Sequence, residues 1–267
     1  MSGDEPILVG VDGSDRSLKA GAWAATEGAR LGAPLLLVMA APEADREYAE
    51  RVCQDAAERC RETGVEVRAE CPSGNPVEQL LRCSEKARMA VLGSRGHGGF
   101  VSALLGSVST AVAAHASCPV VVVRGQVLTT GPVVVGVDES EGSEAALRFA
   151  FEAAARRDAE LVAVQALPAA YFARGPLPHP DREDIEQEAE LQLAEQLAGW
   201  RQQYPDVPVR RVTSNDHPVA ALRDTAHDAQ LLVVGNRGRG GFRGMVIGSV
   251  ANGVLHHAPC PVAVVRA

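Results

Sequence analysis

Ile7-Leu-Val-Gly-Val-Asp-Gly-Ser14 returns 126 residues later as Val133-Val-Val-Gly-Val-Asp-Glu-Ser140. The same offset carries Trp23 onto Phe149 and Val38 onto Val164. Farther along the offset becomes 142, and Val91–Arg124 aligns without gaps to Val233–Arg266 with 19 identities in 34 positions. Agreement of that extent marks duplication of a whole domain, since each copy is near ordinary domain size and far longer than a solenoid repeat. The change of offset by 16 residues is an insertion in the second copy, and the Pro- and Ala-rich stretch Pro168–Pro180 is where it falls. Gly125–Pro132 joins the copies, so the expected domains are residues 1–125 and 131–267.

Around the repeated opening, short apolar runs alternate with amphipathic stretches. In the first copy strands fit 7–12, 35–40, 65–70, 89–93 and 119–124, and helices fit 15–31, 43–63, 75–87 and 106–117. The second copy repeats the strands at 132–138, 160–166, 207–213, 231–235 and 261–265. Runs such as Val120–Val123 and Leu35–Val38 are apolar at every position, as a parallel sheet covered on both faces requires. Gly32 and Gly64 stand where helices stop; Asp15 stands where one starts, and so does Asn75, followed by Pro76. A βα alternation of this kind predicts a doubly wound α/β domain with ligands at the carboxyl ends of its strands.

Two segments at such strand ends carry the candidate chemistry. The first strand ends Gly10-Val11-Asp12, and the fourth ends Gly93-Ser94-Arg95-Gly96. Nine residues later, Gly106-Ser107-Val108-Ser109 opens a helix. The second copy matches with Gly136 and Asp138, Gly235-Asn236-Arg237-Gly238, nine residues, and Gly248-Ser249-Val250-Ala251. Glycines after a strand bring backbone N–H groups against phosphate oxygens with no Cβ between them. Gly98 and Gly99, and Gly240 and Gly241, extend each loop in the same manner. Gly106 and Ser107 are expected to offer unpaired N–H groups and the positive end of a helix, and Arg95 and Arg237 a charge-assisted contact. Val38 and Val164 would wall an adenine base. Asp12 and Asp138 would accept from an adenine amino group or ribose hydroxyl, or cap the helix that follows. Without a ligand, the same glycines would simply make tight turns; the spacing occurring twice, with Arg in the same slot, favours the polyphosphate.

At these residues both halves resemble the universal stress protein family in its tandem form. The family pattern is Gly, two residues, Gly, nine residues, Gly and then Ser or Thr. Both copies satisfy it, and the Val-Gly-Val-Asp opening and Cys-Pro-Val close fit as well. The resemblance spans essentially the whole chain. It implies two tandem doubly wound five-stranded parallel sheets of the adenine nucleotide alpha hydrolase-like fold, with strand order 3-2-1-4-5. It also implies ATP, with Mg2+, at the residues named, and an internal pseudo-dimer or a homodimer paired through Pro119–Arg124 and Pro261–Arg266. The implied role is in stress response or growth arrest; signalling to a partner by nucleotide occupancy, through ordering of 94–105 and 236–247, is the mode expected here, and a slow ATP hydrolase and a ligand-free interaction scaffold are the alternatives. Three departures concern the second copy: Ala251 stands for Ser109, Asp216 for Gly74, and the insertion lies near the site.

Composition narrows the rest. The chain has 267 residues, 46% hydrophobic and only 4% aromatic, so its core is built from Ala, Val and Leu. A net charge of −8 argues against general affinity for nucleic acid or anionic membrane. No apolar run reaches the ~20 residues of a membrane helix, and Met1–Pro6 has no signal-peptide character, so a cytoplasmic protein is expected. The only lysines are Lys19 and Lys86, and no Walker sequence exists. The Rossmann fingerprint and the Ser-Gly-Gly-x-Asp-Ser segment of adenylating pyrophosphatases are also missing. His97 becomes Arg239 in the second copy, which leaves no repeated general base, and no catalytic residue is assigned. His115-x-x-Cys118 and His257-x-x-Cys260 read as helix ends rather than a metal site. The six cysteines lack a C-x-x-C pair and read as free, packed thiols; Cys53 and Cys60 share one helix face. The acidic run from Asp181 to Glu195 reads as a solvated helix face.

Overall fold

The computed structural model describes residues 5–96, 105–167, 182–238 and 246–267. Gly98, Gly99, Gly240, Gly241, His97, Arg239 and the insertion 168–180 lie outside these residues. The chain divides into two compact units, 1–127 with 261–266, and 128–260 with 267.

In the first unit the order along the chain is β1 (Ile7–Gly10), α1 (Asp15–Leu31), β2 (Leu35–Val38), α2 (Arg46–Arg61), β3 (Val67–Glu70), α3 (Pro76–Ser84), β4 (Met89–Gly93), α4 (Ser107–His115) and β5 (Val120–Val123). The strands lie in the order β3-β2-β1-β4-β5, all parallel, so the winding reverses between β1 and β4. The strand β10 (Val262–Val265), the last of the second copy by sequence, belongs to this unit. It pairs antiparallel with β5 through Val262↔Val122, Ala263↔Val121 and Val264↔Val120. The Arg266 guanidinium donates to the carbonyl oxygen of Ala114 at the end of α4.

The second unit contains β6 (Val133–Gly136), α5 (Glu141–Arg157), β7 (Leu161–Ala166), α6 (Arg182–Gln203), β8 (Val209–Ser214), α7 (Pro218–Thr225), β9 (Leu231–Gly235) and α8 (Ser249–His257). Its strands run β8-β7-β6-β9, again parallel.

Central strands are closed to water. Ile7, Leu8, Val9, Val133, Val134 and Val135 have no exposed surface, because helices cover both faces. The edge strand β3 shows the opposite pattern: Val67 is buried while Arg68, Ala69 and Glu70 are exposed, which blunts edge-to-edge pairing. Small residues let the helices approach the sheet, with Ala20, Ala24 and Ala25 buried on α1 and Ala146, Ala150 and Ala154 on α5. Three of the chain's few aromatic rings meet where the buried Phe151 stacks on the half-buried Trp200 and Tyr204, with centroids 6.0 and 5.6 Å away.

Helix ends follow local chemistry. Ser14, one residue before the expected start, caps α1 by accepting from Ser17 N, and Asn75 caps α3 by accepting from Val77 N and Glu78 N. Gly32 takes the left-handed conformation that closes α1 (φ 61°). At the matching place in α5 Asp158 does the same at φ 49°, where an L side chain is strained. The expected helix 43–63 is divided into a 3-10 turn, Glu43–Asp45, and α2.

Candidate functional site

The two strand-end segments of each copy converge on a cavity, one of about 380 Å3 in the first unit and one of about 360 Å3 in the second. Both volumes suit a small organic ligand. Glycine geometry builds the floor. A Cβ on Gly10 would strike Leu92 and press on Leu80 at 3.4 Å, and one on Gly136 would press on Leu222 at 3.1 Å. A Cβ on Gly93 would lie 2.8 Å from the backbone carbon of Arg16, and one on Gly235 2.7 Å from the Gly142 carbonyl oxygen. Only glycine lets β4 and β9 end directly against the first turn of α1 and α5.

The turn after each strand is pinned by the aspartate. In the first copy Asp12 Oδ1 accepts from Ser14 N at 3.0 Å and Ser14 Oγ at 2.6 Å; in the second, Asp138 Oδ1 accepts from Ser140 N at 3.1 Å and Ser140 Oγ at 2.5 Å. The other carboxylate oxygen of each lies against Gly96 or Gly238, so near that a Cβ would collide with it. Asp12 and Asp138 line their cavities and also brace the loop to the following helix.

The helix-end wall of each cavity comes from α4 or α8. Gly106 N donates to Ser94 O at 2.8 Å, and Gly248 N to Asn236 O at 2.7 Å. Those two amides are therefore engaged, and Ser94 and Asn236 act through their carbonyls in setting the helix start. The first backbone bonds of each helix are Thr110 N to Gly106 O and Asn252 N to Gly248 O, both 2.9 Å. Neither helix has a side-chain cap among the described residues. The amides of Ser107, Val108 and Ser109, and of Ser249, Val250 and Ala251, thus point their N–H groups out of the helix without an intrahelical acceptor. No acid occupies the first turn of α4, α7 or α8, whereas α1, α2 and α3 each carry one and α5 carries two. The positive helix end is left uncompensated where the cavity meets it.

The hydroxyl of Ser109 does not face this surface. It is 6% exposed and donates to Gly93 O at 2.7 Å, tying α4 to the end of β4. Ala251 therefore removes a structural hydrogen bond from the second copy and keeps the third outward amide.

Val38 and Val164, Arg95 and Arg237, and the glycines Gly93, Gly96, Gly235 and Gly238 all lie on the cavity walls as well. Other wall residues have weaker sequence signals. Leu80 and Pro76 on α3, with Leu222 and Pro218 on α7, also line the cavities. Their pattern is that of any amphipathic helix, and only the crossover brings them over β1 or β6. Ser17 and Ser143 were not singled out in the sequence, although they repeat at the same offset of 126; their hydroxyls accept from Asp12 N at 3.4 Å and Asp138 N at 2.8 Å. The two cavities match position by position, except that the second has Gln165 for Met39 and Ala251 for Ser109, Val234 for Leu92, and adds Leu167 and His217.

Among the described residues no group of three or more His, Cys, Asp or Glu side chains is placed to hold a metal ion, and no helix is long and apolar enough to cross a membrane.

The universal stress protein family model matches residues 5–124 and again 129–266. The chain is 40% identical to a universal stress protein of Mycobacterium tuberculosis, over 97% of this chain and 96% of that protein. It is 39% identical to one from Mycolicibacterium smegmatis, with the same coverage. A crystal structure of a universal stress protein from Archaeoglobus fulgidus superimposes with a TM-score of 0.77 at 22% identity, covering 98% of both chains, and shares the fold. Duplicated sequence, twofold-repeated cavity and full-length similarity agree that this chain belongs to the universal stress protein family, as a tandem, UspA-like member.

Proposed function

We propose that each copy binds one adenine nucleotide, ATP foremost, and that occupancy rather than turnover is what the protein communicates. The observation that carries this is the pair of matched cavities, each ending on three outward helix amides with no acid in the first turn. Such a surface suits a chain of phosphates more than a neutral ligand, because it supplies donors and positive potential together. The phosphates would rest on Ser107–Ser109 and Ser249–Ala251, with Arg95 and Arg237 beside them. The base would lie against Val38 and Val164, and the ribose near Asp12 and Asp138. Mg2+ would be held by the phosphates themselves, with one wall carboxylate in each copy at hand.

The domain assignment 1–125 and 131–267 is proposed on the repeat and the family match, with β10 as the element through which the second copy pairs with β5. That pairing supports an internal pseudo-dimer. A role in stress response or growth arrest follows from family membership, through a partner that senses the loaded state.

Calorimetric titration of the full chain with ATP and AMP tests the reading. Two sites are expected for the natural protein and one each for Gly106→Arg and Gly248→Arg, with ATP tighter than AMP. Absence of binding by the natural protein would overturn it. Hydrolysis well above the uncatalysed rate would overturn the occupancy part.

A further inference from the structure

Two thiols meet beside the first cavity. Cys53 is on α2, 1% exposed, with its Sγ 3.9 Å from the carbonyl oxygen of Glu70. The next residue is Cys71, half-buried just past the end of β3, so the packing of α2 on β3 sets the two thiols beside each other. The segment that carries Cys71 also holds the lip of the cavity. Met39 N donates to Glu70 O at 3.2 Å and Ala41 N to Pro72 O at 3.3 Å, while Met39 and Ala40 line the cavity wall. Pulling Cys71 toward α2 would therefore move the carbonyls that position the base end of the site. The second copy has no counterpart, since its one cysteine is Cys260.

We propose that Cys53 and Cys71 form a hydroperoxide-responsive disulfide that alters ligand affinity at the first cavity alone; the affinity part rests on the nucleotide reading above. The more exposed Cys71 thiolate attacks the peroxide oxygen. The O–O bond breaks, the leaving alkoxide or hydroxide takes a proton, and Cys71 becomes a sulfenic acid. The Cys53 sulfur then attacks the Cys71 sulfur; the S–O bond breaks, and the departing hydroxide carries off the Cys53 proton as water. Two thiols are oxidised and one peroxide is reduced by two electrons. Burial, and then the Cys71 side chain beside it, push the Cys53 thiol up to about 12, so that it serves as the resolving rather than the attacking sulfur.

The test is peptide mapping, without reductant, of the full chain after exposure to hydrogen peroxide, paired with ATP titration of Gly248→Arg protein before and after oxidation. A cross-linked peptide joining Cys53 to Cys71 is expected, reversible by dithiothreitol, absent from Cys53→Ala and Cys71→Ser and retained in Cys60→Ala. Oxidation should change ATP affinity at the first site by about tenfold, within the range of ordinary coupling between sites. Failure to find that peptide overturns the disulfide. The peptide with unchanged ATP affinity overturns the control of the site but not the thiol chemistry. Reduced protein that binds no ATP overturns the nucleotide reading, and the control with it, while the mapping still decides the disulfide.

Discussion

At Gly93 the nearest atoms to an added Cβ would be main-chain atoms of Arg16, at 2.8 and 2.9 Å, which no rotamer change relieves. Gly93→Ala should therefore cost about 1–3 kcal/mol as an overpacked contact, read as a lower urea midpoint. Gly106 is more forgiving, since its Cβ would meet the Arg95 Cα at 3.3 Å, so the arginine at 106 acts on the cavity more than on the fold. Ser109 distinguishes structure from binding at a single side chain. Ser109→Ala removes the 2.7 Å bond to Gly93 O and should lower stability by about 1 kcal/mol while leaving ATP affinity at the first site nearly unchanged. A large loss of affinity would mean that the hydroxyl reaches the ligand after all.

At the scale of an element, α4 separates two effects that usually move together. Ser107→Asp places a carboxylate in the first turn, where the macrodipole favours it, and should stabilise the protein by about 0.3–1 kcal/mol. The same charge stands where phosphate is proposed to bind, so ATP affinity at the first site should fall. Thermal unfolding and calorimetry of one variant would read both, and a rise in affinity would count against the anion surface. The C-terminus of α5 offers an independent check on helix endings. Asp158→Gly replaces a strained left-handed residue by the one copy one uses at Gly32, and should raise stability by about 0.5–1 kcal/mol. The ending of α1 at Gly32 was legible in sequence because capping is a contest among neighbours a few residues apart. The division of the expected helix at 43–63 was not, since Glu43 is drawn to the hydroxyl of Ser73 at 2.6 Å, thirty residues away.

For the molecule as a whole, buried thiols make stability fall in alkali. Burial pushes Cys53 and Cys118 up to about 12 from an ordinary 9.0. Between those values the unfolded chain releases protons that the native state keeps, so their contribution is complete below pH 9 and lost as pH rises toward 12. Cys118→Ala should flatten the fall of the urea midpoint over that window; an unchanged slope would show that the thiol ionises freely in the native state. What the amino-acid order determined by itself was everything set by short-range chemistry or by repetition: two copies, their strands and helices, the glycine turns and the helix starts that follow. What only tertiary structure decided were meetings of distant segments. Leu80 and Leu222 reach the cavities because a crossover lays α3 and α7 over the strand ends, and the Gly106 amide is engaged by Ser94 because the end of β4 and the start of α4 come together in space. Cys53 finds Cys71, not its helix-face neighbour Cys60, since α2 packs on β3. The pairing of β10 with β5 was implied by the family resemblance alone, since pairing depends on which backbone edges come together in space, and spacing along a chain carries no record of that.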